Sequence, residues 1–260
     1  MIEALLDLPA HLRQRLAAAL QTGLLAPPYS AVSVRSVVNA GEVSQAIAEA
    51  LANLAQRGLS GGALAEILGV AERVAARAPR LDLVWSGPTV HGLHARNTRS
   101  VYEELLGSAE RSVWASTYAF FDGPSAFEVL AKRMDAKPGL QVTLLLNVQR
   151  KRGDTTAADQ LVRRFADRFW KYEWPGAARP RVFYDPRALE LDGPGGVLHA
   201  KAVVIDDEVV FITSANLTEA ALDSNIELGL VVRDRALAAS VSTHFQALID
   251  QRFLVPLPLA

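Results

Sequence analysis

The stretch from Val197 to Glu227, VLHAKAVVIDDEVVFITSANLTEAALDSNIE, constrains this chain more than any other. Leu198 to Ile205 is rich in Val, Ile and Ala, the composition of a buried strand. Asp206-Asp207-Glu208 is a polar turn, and Val209 to Thr213 reads as the strand returning from it. Side chains alternate along a strand, so His199 and Lys201 point the same way. The return brings Ser214 and Asn216 back towards the end that carries His199. An imidazole, an ammonium, an amide and a hydroxyl then converge at the sheet edge.

That set of groups suits a phosphodiester. An imidazole can attack phosphorus, and an ammonium and an amide can hold the non-bridging oxygens where negative charge grows. The protein supplies its own positive charge, so no metal or other cofactor is expected. A carboxylate such as Glu227 can bond the second ring nitrogen of His199 and fix its tautomer.

The spacing H-x-K-x4-D (His199, Lys201, Asp206), followed by Ser214 and Asn216 and an acid at Glu227, resembles the HKD motif of the phospholipase D superfamily. Thr213 stands where that family usually has Gly. The family builds its site from two motifs, in one chain or in two copies, and this chain has one. His91 and His94 are a further close pair, but neither has a Lys two residues on. The resemblance therefore implies a homodimer with a composite site. In it His199 forms a phosphohistidine, and the second His199 protonates the leaving oxygen and then activates water. Lys201 and Asn216 hold the phosphoryl oxygens, Ser214 supports the phosphate or the carboxylate, Glu227 orients His199, and Asp206 braces the hairpin.

A chain of 260 residues, half of them hydrophobic, can bury a full core and a smaller second one. It has no cysteine, hence no disulfide or thiolate site, and its five histidines are not clustered with acids as metal ligands. The N-terminus lacks the apolar run of a signal peptide, and no stretch approaches a membrane span, so a soluble cytoplasmic protein is expected. A net charge of −1 argues against coating nucleic acid with the whole surface, while leaving room for a local basic groove.

Residues 1–79 differ from the rest. Leu5, Leu8, Leu12, Leu16 and Leu20 form an apolar stripe at helical spacing, Ser44 to Gln56 and Ala63 to Ala78 read as further helices, and Tyr29 to Gly41 as a loop or short extended piece. The turn around Gly58–Gly62 is compatible with helix-turn-helix DNA binding, but helices so poor in exposed Arg and Asn fit a packing or dimerisation module better. From residue 80 to 260 strands and helices alternate: strands at Leu81–Trp85, Ser112–Phe120, Leu140–Val148, Arg181–Tyr184, the motif hairpin and Ile226–Val232. Helices are expected at Thr98–Ala109, Pro124–Lys137, Thr155–Tyr172 and Arg235–Phe253. The expected class is α/β, a phospholipase D-like mixed β-sheet flanked by helices, behind a helical N-terminal module.

Arg150 to Arg187 carries ten Lys/Arg against five Asp/Glu, interleaved with Trp170, Tyr172, Trp174, Phe183 and Tyr184. Cations for phosphates and rings for bases suit single-stranded nucleic acid, DNA for preference. A solvated helix face over packed aromatics is the plainer alternative. Arg150, Lys151 and Arg152 follow an apolar strand, where sheets present ligands. With His94 and Arg96 they are the candidate substrate-binding residues. Nucleic acid is favoured over lipid because no amphipathic segment combines a basic face with exposed Trp. The layout also resembles the phospholipase D-like component of DISARM phage-defence systems, which implies partner proteins of a defence operon.

Overall fold

The computed structural model describes residues 2–39, 41–77, 79–89, 92, 94–120, 123–191 and 196–259. It divides into two compact units, Met1–Ala78 and Pro79–Ala260.

The first unit consists of α1 (Glu3–Leu6), α2 (Ala10–Gln21), α3 (Ala31–Val38), α4 (Ser44–Gln56) and α5 (Gly61–Arg77). Leu5, Leu8, Leu16 and Leu20 of the stripe are buried with Val34, Ile47, Leu51 and Leu64. The stripe is broken at Pro9, the N-cap of α2, which has no side-chain cap and accepts the Leu12 and Arg13 N–H groups only through its carbonyl. The expected loop from Tyr29 to Gly41 is instead largely α3. Its Val-rich sequence is a poor helix former, but Ser30 and Ser33 form a reciprocal capping box and Val34, Val37 and Val38 are buried on one face. Capping and tertiary burial thus outweigh propensity here. Ala78, expected to close the last helix, lies outside the described residues.

The second unit runs β1 (Arg80–Ser86), β2 (Arg96–Asn97), α6 (Thr98–Ser108), β3 (Ser112–Thr117), α7 (Gly123–Ala136), β4 (Gln141–Leu146), α8 (Ala158–Arg168), β5 (Arg181–Tyr184), β6 (Ala202–Ile205), β7 (Val209–Thr213), β8 (Glu227–Arg233), α9 (Arg235–Asp250) and β9 (Val255–Pro256). These strands form one mixed sheet in the order β2-β1-β8-β7-β6-β3-β4-β5-β9. β3, β4 and β5 are parallel, and the motif strands β6, β7 and β8 are antiparallel neighbours.

One face carries the larger core, where Val113, Leu144, Val203, Phe211 and Val231 meet Val101, Leu105, Phe127 and Phe169 from the helices. On the other face α9 lays Ala238 and Phe245 over Trp114, Leu145, Ala202, Val204 and Val210. That cover stops short. Leu81, Leu83, Ile212, Leu228 and Leu230 remain exposed.

Several element ends differ from expectation: β3 stops at Thr117, β4 spans only Gln141–Leu146 and α8 only Ala158–Arg168, and two further differences shape the motif end and the sheet edge. β6 begins at Ala202, not Leu198, so His199 and Lys201 stand just before the ladder. The last helix ends at Asp250, after which Arg252 takes a left-handed conformation (φ 62°) and Val255–Pro256 pairs with β5 as β9.

Candidate active site

The hairpin turn fixes the motif from behind. Asp206 and Asp207 both have positive φ, 55° and 54°, the geometry that matches the twist of a tight hairpin. That conformation is unusual for a residue with a Cβ. At Asp206 the carboxylate offsets the cost by accepting the backbone N–H groups of Glu110 (2.9 Å), Arg111 (2.6 Å) and Ser112 (2.8 Å). Asp206 therefore sits at the far end of β6 from His199 and ties the hairpin to the start of β3.

At the other end of β6, Lys201 is buried while His199 is exposed. The Lys201 ammonium donates to the His199 carbonyl at 3.0 Å and lies 3.2 Å from Nδ1 and 3.4 Å from Nε2 of the ring. Burial pushes the Lys201 pKa below the ordinary lysine value, and the negative charge of Glu227 partly opposes the shift. Ser116 Oγ donates to the Ala200 carbonyl at 2.9 Å, holding the segment between the two side chains against β3.

Ser214 and Asn216 follow β7. Ser214 Oγ donates to Glu227 and accepts the Leu228 N–H at 3.1 Å. Asn216 Oδ1 accepts the Ala119 N–H at 3.2 Å. An N–H can only donate, so the amide oxygen is the end held there. The NH2 end has no hydrogen bond among the described residues and is available to an incoming oxygen. Thr117 Oγ1, which accepts the Leu217 N–H at 3.2 Å, closes the seam between β3 and this segment.

Thr213, in the family's usual glycine position, is accommodated by an exchange across the strands. Its Oγ1 accepts the Ala215 N–H at 3.0 Å. Directly opposite on β8 stands Gly229. A Cβ there would lie 3.0 Å from Thr213 Cβ and 2.7 Å from Phe211 Cε2. The space a side chain would need at Gly229 is already taken.

Glu227 has a different partner from the expected one. It accepts from Ser214, and no hydrogen bond joins it to His199 among the described residues. It acts on Lys201 through charge. Burial, with the same charge as a smaller contribution, drives the Tyr102 phenol above its ordinary pKa.

Two residues absent from the sequence-based set complete the wall. The Tyr118 ring lies against the His199 ring and 5.7 Å from the Lys201 ammonium. Its hydroxyl donates to Gln149 Oε1 at 2.8 Å, which also receives Asn147 Nδ2 at 3.3 Å. Tyr118 follows β3 and Gln149 follows β4, so their place just beyond two adjacent parallel strands was the available signal.

The expected substrate-binding residues divide. Arg150 is turned to its own loop. Its guanidinium donates to the carbonyls of Leu189 (2.7 and 2.9 Å), Asp154 (2.8 Å) and Thr156, tying down its own loop. Arg96 is paired with Asp82 and Glu104. Lys151, Arg152 and His94 are exposed, and no hydrogen bond joins them to His199 or Lys201 among the described residues. His91 and Val90 lie outside the described residues. The aromatic platform is corrected more firmly. Trp170, Trp174 and Tyr184 belong to the core, and the two indole N–H groups donate to Pro258 and Ala178 carbonyls at 2.8 Å. A five-residue π-turn at Phe169–Glu173 follows α8 and sets Phe169 and Trp170 inward, leaving Tyr172 exposed beneath Lys171.

The family model described as cardiolipin synthase, PLD-like domain, matches residues 102–249. Cardiolipin synthase A of Pseudomonas entomophila (strain L48) is 32% identical over 148 residues, covering 57% of this chain and 27% of that protein. Cardiolipin synthase 1 of Bacillus cereus is 25% identical over 166 residues, 64% of this chain and 28% of that protein. The chain thus spans about a quarter of the length of these curated relatives. Among solved structures, phosphatidylserine synthase of Haemophilus influenzae Rd KW20 is 14% identical with a TM-score of 0.50, covering 76% of this chain and 48% of that one, a likeness of fold. The phospholipase D family member NUC of Salmonella typhimurium is 18% identical with a TM-score of 0.45, covering 70% and 99%. No helix among the described residues is long and apolar enough to cross a membrane.

Proposed function

Since the chain belongs to the phospholipase D superfamily through its PLD-like domain, we propose that it breaks phosphodiester bonds through His199 in a composite site made by two copies. The observation that carries this reading is the convergence of His199, the buried Lys201 and the free NH2 end of Asn216 at one end of the motif hairpin. A nitrogen of His199 attacks phosphorus; a P–N bond forms as the P–O bond to the leaving group breaks. His199 of the partner subunit gives its proton to the departing oxygen. The same imidazole then takes a proton from water, whose oxygen displaces the His199 nitrogen from phosphorus. Lys201 and the Asn216 NH2 hold the non-bridging oxygens throughout. Ser214 and Glu227 form one unit whose charge partly opposes the downward push of burial on Lys201, and Asp206 works only through the hairpin.

Nucleic acid is the proposed substrate. His199 is open to a polymer, and the exposed Lys151 and Arg152 follow β4 at the same end of the sheet. The burial of Trp170 and Trp174 removes base stacking on them from that case. A second reading, transfer or hydrolysis of a phosphatidyl group, is favoured by the names of the sequence relatives, both cardiolipin synthases. Neither of these relatives is a defence protein, and nothing supports a role in phage defence. End-labelled single-stranded DNA and phosphatidylglycerol vesicles, each incubated in excess chelator with wild type or His199→Ala, separate these readings. Cleavage of DNA by wild type alone is the expected result. Turnover of lipid alone transfers the mechanism to the second reading, and equal turnover by both proteins removes His199 from it.

A further inference from the structure

β4 ends in the buried leucines Leu144, Leu145 and Leu146, and the next residue, Asn147, is buried with them. The side-chain oxygen Oδ1 of Asn147 has no hydrogen-bond partner among the described residues. A buried acceptor without a donor works against folding. The other end of the same amide is engaged: Nδ2 donates to Gln149 Oε1 at 3.3 Å, the oxygen that also receives the Tyr118 hydroxyl at 2.8 Å. Where a chain keeps a polar group against the interest of its core, the group it holds is the place to look for function.

What Asn147 holds is the orientation of Gln149. An amide NH2 can only donate, so the end of Gln149 that faces it is the oxygen. The NH2 end is thereby turned outward. Gln149 is exposed, and its Nε2 makes no hydrogen bond among the described residues. Tyr118 places this free donor beside the chemistry, because the phenol is bonded to Gln149 while the ring lies against His199 and near the Lys201 ammonium. Lys201 and Asn216 already serve the charged oxygens on phosphorus. An uncharged NH2 beyond them suits a neutral acceptor. We infer that Gln149 is a specificity-determining residue, whose NH2 donates to an oxygen or nitrogen of the organic group next to phosphorus, such as the sugar or base of a nucleotide. The inference rests on the phosphodiesterase reading and names a substrate feature for that site. An ester without such an acceptor is disfavoured, because its binding strips water from the NH2 and gives nothing in return.

The test compares two chromogenic esters of equal charge, thymidine 5′-(4-nitrophenyl phosphate) and bis(4-nitrophenyl) phosphate. Both release 4-nitrophenol, but only the first carries sugar and base acceptors. The quantity read is the ratio of their kcat/KM values. Wild type should favour the thymidine ester, and Gln149→Glu should lower the ratio about tenfold or more. That substitution keeps an acceptor for Tyr118 and Asn147 and replaces only the donor. Repulsion by the new carboxylate acts on both esters and cancels in the ratio. Tyr118→Phe removes a bond to Gln149 but leaves the donor, so its ratio should stay within about threefold of wild type. His199-dependent turnover with the same ratio in wild type and Gln149→Glu overturns the assignment and leaves Gln149 as a brace for Tyr118. So does a ratio that falls equally in Tyr118→Phe. Cleavage of neither ester, or cleavage that survives His199→Ala, is a failure of the phosphodiesterase reading itself, and the assignment falls with it.

Discussion

The ring of Tyr118 lies 4.9 Å from the ring of His199, centroid to centroid, at 53°. The only bond made by the phenol among the described residues is to Gln149. A ring so placed limits the rotamers open to the imidazole, and an anchored hydroxyl limits the ring. Tyr118→Ala should lower kcat on the order of 10²-fold, the scale of a misplaced reacting group. Tyr118→Phe, which keeps the ring, should stay within about threefold. Steady-state rates on a common substrate check this, with KM separating positioning from binding.

Lys201 must be protonated to hold a phosphoryl oxygen, and its pKa is lowered by burial. Activity should therefore fall with rising pH before an ordinary lysine, near pH ~10.4, would titrate. Glu227 pushes the Lys201 pKa upward. Glu227→Gln removes that push, so the alkaline limb of the kcat/KM profile should move to lower pH. A limb that stays in place would detach Glu227 from Lys201.

Asp206 accepts three backbone N–H groups at the start of β3. Asp206→Ala leaves those donors without their acceptor and a left-handed Ala at the turn. A loss of about 3 kcal/mol is expected, at the level of hydrogen bonds to a charged group. Urea unfolding gives the value. Below the melting transition the rate per folded molecule should change little, because Asp206 is at the far end of β6.

Gly229→Ala should cost about 1–3 kcal/mol by overpacking. Thr213→Gly should recover part of this and no more, because Phe211 Cε2 obstructs the same Cβ more closely than Thr213 does. A double-mutant cycle on denaturant midpoints measures the coupling.

If the site is shared between copies, mixing subunits has an arithmetic signature. Equal amounts of wild type and His199→Ala, unfolded and refolded together, should retain about one quarter of the wild-type activity, since only pure wild-type pairs hold both imidazoles. Independent sites would retain about half.

The local part of the site was legible in the sequence because it is set by strand period and turn length. His199, Lys201, Ser214 and Asn216 gather at one end of the hairpin, although the ladder itself starts only at Ala202. Tyr118 and Gln149 were missed. Their place beyond the ends of β3 and β4 was the one signal, and nothing local to Tyr118 announces a ring contact with His199 or to Gln149 a bond to that phenol. The interleaved aromatics misled for a related reason. Residue spacing does not reveal which way a ring turns, and the π-turn after α8 sends Trp170 into the core. α3 was missed because its valines argue against a helix when read without the core that buries them.

Both outer strands of the sheet, β2 and β9, are two residues long, and β9 ends in a proline. Short, proline-ended edges give an incoming strand almost no ladder to join. Sideways growth, copy after copy, has no template here, and that is the route by which sheets polymerise without limit. A meeting across a two-fold axis, by contrast, uses up its own surface and stops at two. The arrangement that withholds the edges thus favours a closed pair over a fibre.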